Sequence, residues 1–202
     1  LRMCGIQCAL REVVLRNKPK ELFDASEKGT VPVLVLSSGQ VIDESLDIID
    51  WALETGMPFN RRSSSPGNIR ATQELIQVND TEFKHHLDRY KYPNRYGDTD
   101  PVYHRSKAEE FLEALDKCLQ TSPWLLGDEP GFADVAIGPF IRQFANAGRR
   151  WFDGSSYTEL KRWLRQFLDW EGFGEVMDKY VPWEPGSPIV IFPTVPVACG
   201  ST

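Results

Sequence analysis

The sequence predicts an α/β domain followed by an all-helical domain, on three observations. Strand-like and short helical runs alternate over the first 56 residues, a Pro/Gly/Ser-rich stretch interrupts all periodicity at 57–68, and helical spacing dominates from Ile69 to Tyr180. A chain of 202 residues, 41% of them hydrophobic, is long enough to bury one substantial core or two small ones.

Gln7–Leu15 reads as a strand and Pro19–Ser26 as a short helix. The apolar runs Val31–Leu36 and Gln40–Ile42 flank Ser38-Gly39, which predicts two short strands joined by a tight turn. Asp43, Glu44 and Ser45 then open a helix that ends near Thr55-Gly56. This β-α-β-β-α order is most of a thioredoxin-like domain, assigned to residues 1–56. Residues 57–68 are the expected linker, 69–185 the helical domain and 186–202 an extended Pro-rich tail. In that tail IVIF can lie against the body, and the last nine residues should be loosely held.

Within the helical domain, Phe111, Leu112, Leu115 and Leu119 recur at helical spacing until Ser122-Pro123 stops the helix. Phe132–Phe144 is apolar almost all round and should be a buried central helix, kinked where Pro139 removes a donor. Gly131 serves as its N-cap, and Asp134 reaches back to the cap's own N–H, a structural role and not a catalytic one. The tryptophans at 124, 151, 163 and 170 read as packing anchors.

Composition excludes several classes of function. A net charge of −6 argues against nucleic-acid binding, and the basic, aromatic segment Lys84–Arg95 reads as a solvated or cleft-lining helix end. Cysteines at 4, 8, 118 and 199 follow neither metal-ligand nor disulfide spacing, which suggests reduced thiols in a cytoplasmic protein, with Cys8 a small buried hydrophobe in a strand. Three histidines without carboxylate or cysteine neighbours at ligand spacing give no reason to expect a metal. No apolar run approaches the ~20 residues of a membrane span, and nothing reads as a signal peptide.

Chemistry concentrates at residues 28–53. The helix opening at Asp43-Glu44-Ser45 sets free backbone N–H groups and the positive end of a helix dipole beside a hydroxyl, an arrangement suited to a carboxylate, although an ordinary N-capped helix has the same parts. VPVL followed by ES resembles the glutathione S-transferases, and Asn17-Lys18-Pro19 resembles their omega class. The resemblance implies that the Val31 backbone pairs with the cysteinyl part of glutathione and that Pro32 is the cis-proline aiming it. It further implies that Glu44 and Ser45 hold the γ-glutamyl end and that Lys18 meets the glycyl carboxylate.

The implied activity is glutathione-dependent transfer or thiol–disulfide exchange on small electrophiles or mixed disulfides. Glutathione would be co-substrate, with no metal, in the family's usual homodimer. The family's first strand and its cysteine-bearing turn would lie upstream of Leu1, so no catalytic residue is assigned. That strand lies centrally, between Gln7–Leu15 and Val31–Leu36. The native protein is therefore expected to begin upstream, unless Ile189–Phe192 or a second subunit fills the slot.

The second substrate is expected between the domains, against the helix Ile69–Tyr90. Its apolar stripe runs Ile69, Ile76, Phe83, Leu87 and Tyr90, with Asn79 on the same stripe. Asn79, Phe83 and Tyr90 are the candidates, Asn79 being expected first to bond across the helical core, and Phe83 and Tyr90 serving equally as core. Two rival readings stay open: a non-catalytic module that binds glutathione or a partner protein, and a structural interaction module with no thiol ligand. Retention on a glutathione column and turnover separate the three.

Overall fold

A computed structural model of the chain describes residues 1–56, 66–97, 99–174 and 176–193. The linker expected at 57–68 lies outside the described residues as far as 65, as do Cys199 and the end of the tail. The chain divides into two compact units, Leu1–Phe59 with Glu175–Thr202, and Asn60–Gly174.

The first unit opens with a 3-10 turn at Arg2–Cys4. There follow strand β1 (Cys8–Leu10), helix α1 (Lys20–Ala25), strands β2 (Leu34–Val35) and β3 (Val41–Ile42) and helix α2 (Ser45–Thr55), and β4 (Val190–Phe192) completes the unit. β2 and β3 pair antiparallel, with Leu34 opposite Ile42. The turn between them closes through the Gly39 N–H on the Leu36 carbonyl (2.9 Å). Gly39 sits at φ +88, a conformation that side chains with a Cβ resist, which is why glycine serves there.

β1 pairs antiparallel with β4, Cys8 opposite Phe192 and Leu10 opposite Val190. The strand expected over Gln7–Leu15 therefore stops at Leu10. Continuing the register would set Pro188 opposite Glu12, and proline has no N–H to donate. The Glu12 carbonyl accepts instead from the Trp183 N–H (2.9 Å), while the Arg11 guanidinium lies 4.4 Å over the Trp183 ring. Gln7 Nε2 donates to the Pro193 carbonyl (3.1 Å). Among the described residues no strand joins the two ladders. Among the described residues of this unit, Cys4, Ile42, Ile48 and Ala52 are the buried hydrophobics.

The regular elements of the second unit among the described residues are helices. α3 (Pro66–Val78) runs through a π-helical turn at Asn79–Phe83 into α4 (Lys84–Lys91), followed by α5 (Pro101–Cys118), α6 (Phe132–Ala147), α7 (Arg149–Gly154), α8 (Thr158–Asp169) and α9 (Glu171–Gly174). The expected stripe along α3–α4 needs one correction. Ile69, in the first turns of α3, is 49% exposed, whereas Ile76, Phe83 and Leu87 are buried.

α6 is the central helix. Ala133, Ala136, Ile137, Ile141, Phe144 and Ala145 are buried along it, and it packs against α3, α4, α7 and α8. Asp134 Oδ2 accepts from the Gly131 N–H (2.9 Å), and its Oδ1 accepts from the Leu125 N–H (3.0 Å) and Trp163 Nε1 (2.6 Å). Burial pushes this carboxyl above its ordinary value, against the three N–H donors that favour its charged form. α8 buries Leu160, Trp163, Leu164 and Phe167, spaced three and four apart. Its start lacks a local side-chain cap, and Asp116 of α5 supplies one by accepting from the Leu160 N–H (2.9 Å).

Candidate functional site

The hairpin and α2 bring most of the sequence-predicted binding residues onto consecutive elements. The Val31–Pro32 peptide is cis. Val31 is 43% exposed, and neither its N–H nor its carbonyl enters a hydrogen bond among the described residues, which leaves a short backbone edge open to an extended ligand. Glu44 stands at the N-cap of α2 in extended conformation, with no side-chain cap bond. The first N–H to find a helical acceptor is that of Ile48, on the Glu44 carbonyl (3.0 Å), so the N–H groups of Ser45, Leu46 and Asp47 have no intrahelical partner. Glu44 and Ser45 are both exposed. Lys18, just ahead of α1, is half-buried and pairs with no acid among the described residues.

One residue of this region escaped sequence reasoning. Lys28 Nζ donates to Glu44 Oε1 (2.6 Å) and Asp43 Oδ1 (3.0 Å), while Asp43 Oδ2 accepts from the Ser26 hydroxyl (2.6 Å). The Ser26 bond, then Lys28, hold the Asp43 carboxyl below its ordinary value, and Glu44 then Asp43 raise Lys28 above its own. The network ties the end of α1 to the start of α2, and one ammonium offsets two carboxylates beside the helix N-terminus. No periodicity signals it, because Lys28 stands 15 and 16 residues from its partners.

The second-substrate candidates lie in the other unit. Phe83 is 1% exposed and packs on Phe111 and Phe144, ring centres 5.1 and 5.6 Å away. Asn79 is also 1% exposed; its Nδ2 donates to Asp80 Oδ1 (2.9 Å), but its Oδ1 accepts nothing from the described residues. Among the described residues Asn79 makes no bond across the helical core, and the partner it has is the next residue in the π turn. Tyr90 is half-buried, its ring 5.1 Å from that of Phe144. A shallow cavity of about 340 Å³ in the same unit, lined by Glu109, Arg150, Trp151 and Tyr157 among others, contains none of the expected residues.

The cysteines and histidines also find their places. Cys4, Cys8 and Cys118 are free thiols, and burial pushes those of Cys8 and Cys118 up. Cys8 is only half-buried in its strand. The three histidines, which sequence spacing gave no reason to group, come together. His85 and His86 on α4 face His104 on α5, one ring nitrogen of each lying within 4.8 Å of the others. Burial, followed by the neighbouring rings and cations, holds His86 and His104 below the ordinary histidine range. The helical hairpin closes a gap of 18 residues between His86 and His104, and this is why no sequence motif shows. No helix among the described residues is long and apolar enough to cross a membrane.

Two family models match the chain: "Glutathione S-transferase, N-terminal domain" over residues 1–55 and "Glutathione S-transferase, C-terminal domain" over 71–166. Among curated proteins it is similar to the glutathione S-transferase GstB of Escherichia coli (strain K12), with 33% identity over 63 residues. That stretch is 31% of this chain and 29% of that protein, so the match spans less than a third of the relative's length. Among solved structures it resembles a glutathione S-transferase from Rhodospirillum rubrum, with a TM-score of 0.64, 22% identity, and coverage of 87% of this chain and 80% of that one. It also resembles a glutathione S-transferase of class Gtt2 from Vibrio parahaemolyticus, with a TM-score of 0.61, 23% identity and 74% of each chain covered. Likeness at these identities concerns the fold, a thioredoxin-like N-terminal domain with a helical C-terminal domain.

Proposed function

The chain belongs to the glutathione S-transferase family, and we propose that its first unit binds glutathione along the edge at Val31 and cis-Pro32, with the γ-glutamyl end at the start of α2. The observation that carries this is the pairing of an open backbone edge with an uncapped helix N-terminus. A γ-glutamyl group ends in an ammonium and a carboxylate. The N–H groups of Ser45 to Asp47 and the Ser45 hydroxyl suit the carboxylate, and Glu44 suits the ammonium, sharing its charge with Lys28. Lys18 serves the glycyl carboxylate.

The chemistry proposed is transfer of glutathione to a small electrophile, or exchange with a mixed disulfide, of the cysteine type that Asn17-Lys18-Pro19 suggests, in a cytoplasmic homodimer. Since Asn79 and Phe83 are each 1% exposed, direct contact with that second substrate falls to Tyr90.

Calorimetric titration of glutathione tests the site. Ser45→Ala removes a hydrogen bond to a charged group, worth about 1.5–3 kcal/mol, and should weaken binding roughly 10- to 150-fold. Lys18→Ala should weaken binding and flatten its dependence on salt. Unchanged affinity in Ser45→Ala removes the γ-glutamyl assignment, and an unchanged salt dependence in Lys18→Ala returns that lysine to the solvated surface.

A second reading is a non-catalytic glutathione- or partner-binding module. Burial pushes the thiols of Cys8 and Cys118 up, away from the thiolate form. Retention on a glutathione column without turnover of an aryl halide or a mixed disulfide would select it.

A further inference from the structure

All three histidines of the chain meet at the crossing of α4 and α5. Their ring centres form a triangle with sides of 5.0 Å (His85–His86), 5.0 Å (His86–His104) and 5.9 Å (His85–His104). Three imidazoles on one tetrahedral ion, with metal–nitrogen bonds of about 2.0–2.1 Å, place their nitrogens about 3.3 Å apart and their ring centres about 5.2 Å apart. The observed triangle departs from that figure by less than 1 Å on every side.

We propose that His85, His86 and His104 bind one borderline divalent transition-metal ion of the zinc class, clipping α4 to α5. The donor set is three imidazoles with no thiolate, which suits zinc, copper(II) or nickel(II) and is poor for magnesium or calcium. His85 is exposed, so the fourth position is open to water.

Two local contacts rearrange on loading. His86 Nδ1 and His104 Nδ1 lie 2.7 Å apart, so one carries a hydrogen that the other accepts. Moving that hydrogen to Nε2 of the same ring frees both Nδ1 lone pairs without loss of a proton, and the nitrogens then separate by about 0.6 Å to reach the tetrahedral spacing. Arg89 Nη1, 3.0 Å from His85 Nδ1, withdraws from that atom and keeps its other contacts, the His85 carbonyl (3.1 Å) and the Tyr96 ring (4.4 Å). Lys107, the other cation near His86, is offset by Glu110 at 2.8 Å.

The test uses the chain without a histidine tag, stripped with chelator and titrated with zinc chloride by calorimetry and with cobalt(II) by visible absorption. The expected result is one ion per chain, cobalt bands of tetrahedral intensity, and a thermal midpoint that rises with zinc. His86→Ala and His104→Ala should each weaken binding at least about tenfold and abolish the thermal shift. The exposed His85→Ala guards against loss of folding and should weaken binding as well. Arg89→Gln keeps all three ligands while removing a competing cation, and should tighten binding. No saturable binding at sub-millimolar zinc, binding retained in both His86→Ala and His104→Ala, or weaker binding in Arg89→Gln would overturn the proposal.

Discussion

Two carboxylates and one ammonium meet where α2 begins, and their balance makes the start of that helix sensitive to acid. Asp43 titrates below its ordinary value in the folded chain because Ser26 and Lys28 both favour the charged form. A carboxyl depressed on folding adds stability above its unfolded pKa and loses it as pH falls through the folded value. The unfolding midpoint of the first unit should therefore fall as pH drops below the ordinary carboxylate range. It should fall less steeply in Ser26→Ala, where the Asp43 carboxyl resonance moves back toward the ordinary aspartate pKa. An identical pH profile for the two proteins would remove Asp43 from the account. At this scale the residues proposed to bind glutathione are legible where they are contiguous, as Glu44-Ser45 and Val31-Pro32 are. Lys28 and the three histidines are not, because folding alone brings their partners near.

Helix α6 shows how far a single element can be read, and what decides its neighbours. Its apolar character and its Asp134 anchor follow from the order of residues, since both are set within one helix and its cap. Its fit against α8 does not. A Cβ built on Gly138 would sit 2.5 Å from the Phe167 ring, and that ring is held by Trp163, Trp170 and Phe173, with ring centres 4.7–6.3 Å away. Alanine is the better helix former by about 1 kcal/mol, but overpacking a core costs about 1–3 kcal/mol when the neighbour cannot move. Gly138→Ala should accordingly destabilise the second unit, and adding Phe167→Leu should recover part of the loss. A higher denaturation midpoint in the single variant would show that the ring yields. Two other elements resisted reading for the same kind of reason. The π turn at Asn79–Phe83 leaves the helical spacing of its apolar residues almost intact. The strand expected at Gln7–Leu15 ends at Leu10, short of the pairing that would set Pro188 opposite Glu12.

At the scale of the whole chain, the last described residues return to the first unit. β4 supplies β1 with its ladder, the Trp183 N–H reaches the Glu12 carbonyl, Gln7 holds the Pro193 carbonyl, and Arg11 covers the Trp183 ring. Helical periodicity could place α3 to α9, and IVIF is legible as a stretch that can lie against the body, but its register on a strand some 180 residues earlier has no local signal, since such pairing is a matter of topology. The consequence is unequal dependence on the tail. The large core of the second unit runs from Phe83 to Phe167, and none of its described members lies beyond residue 174. The first unit has a two-stranded hairpin, which alone is marginal in water, and few buried hydrophobics. Each hydrogen bond lost with the tail removes about 0.5–1.5 kcal/mol, and the Arg11–Trp183 contact removes about 0.5–1 kcal/mol more, a sum comparable to the stability of a small unit. Truncation after Gly174 should leave α6 and α8 protected in hydrogen exchange while β1, β2 and α2 exchange freely, and glutathione binding should go with them. Full protection of Cys8–Leu10 in the truncated chain would show that the ladder with β4 is not what holds the first unit together.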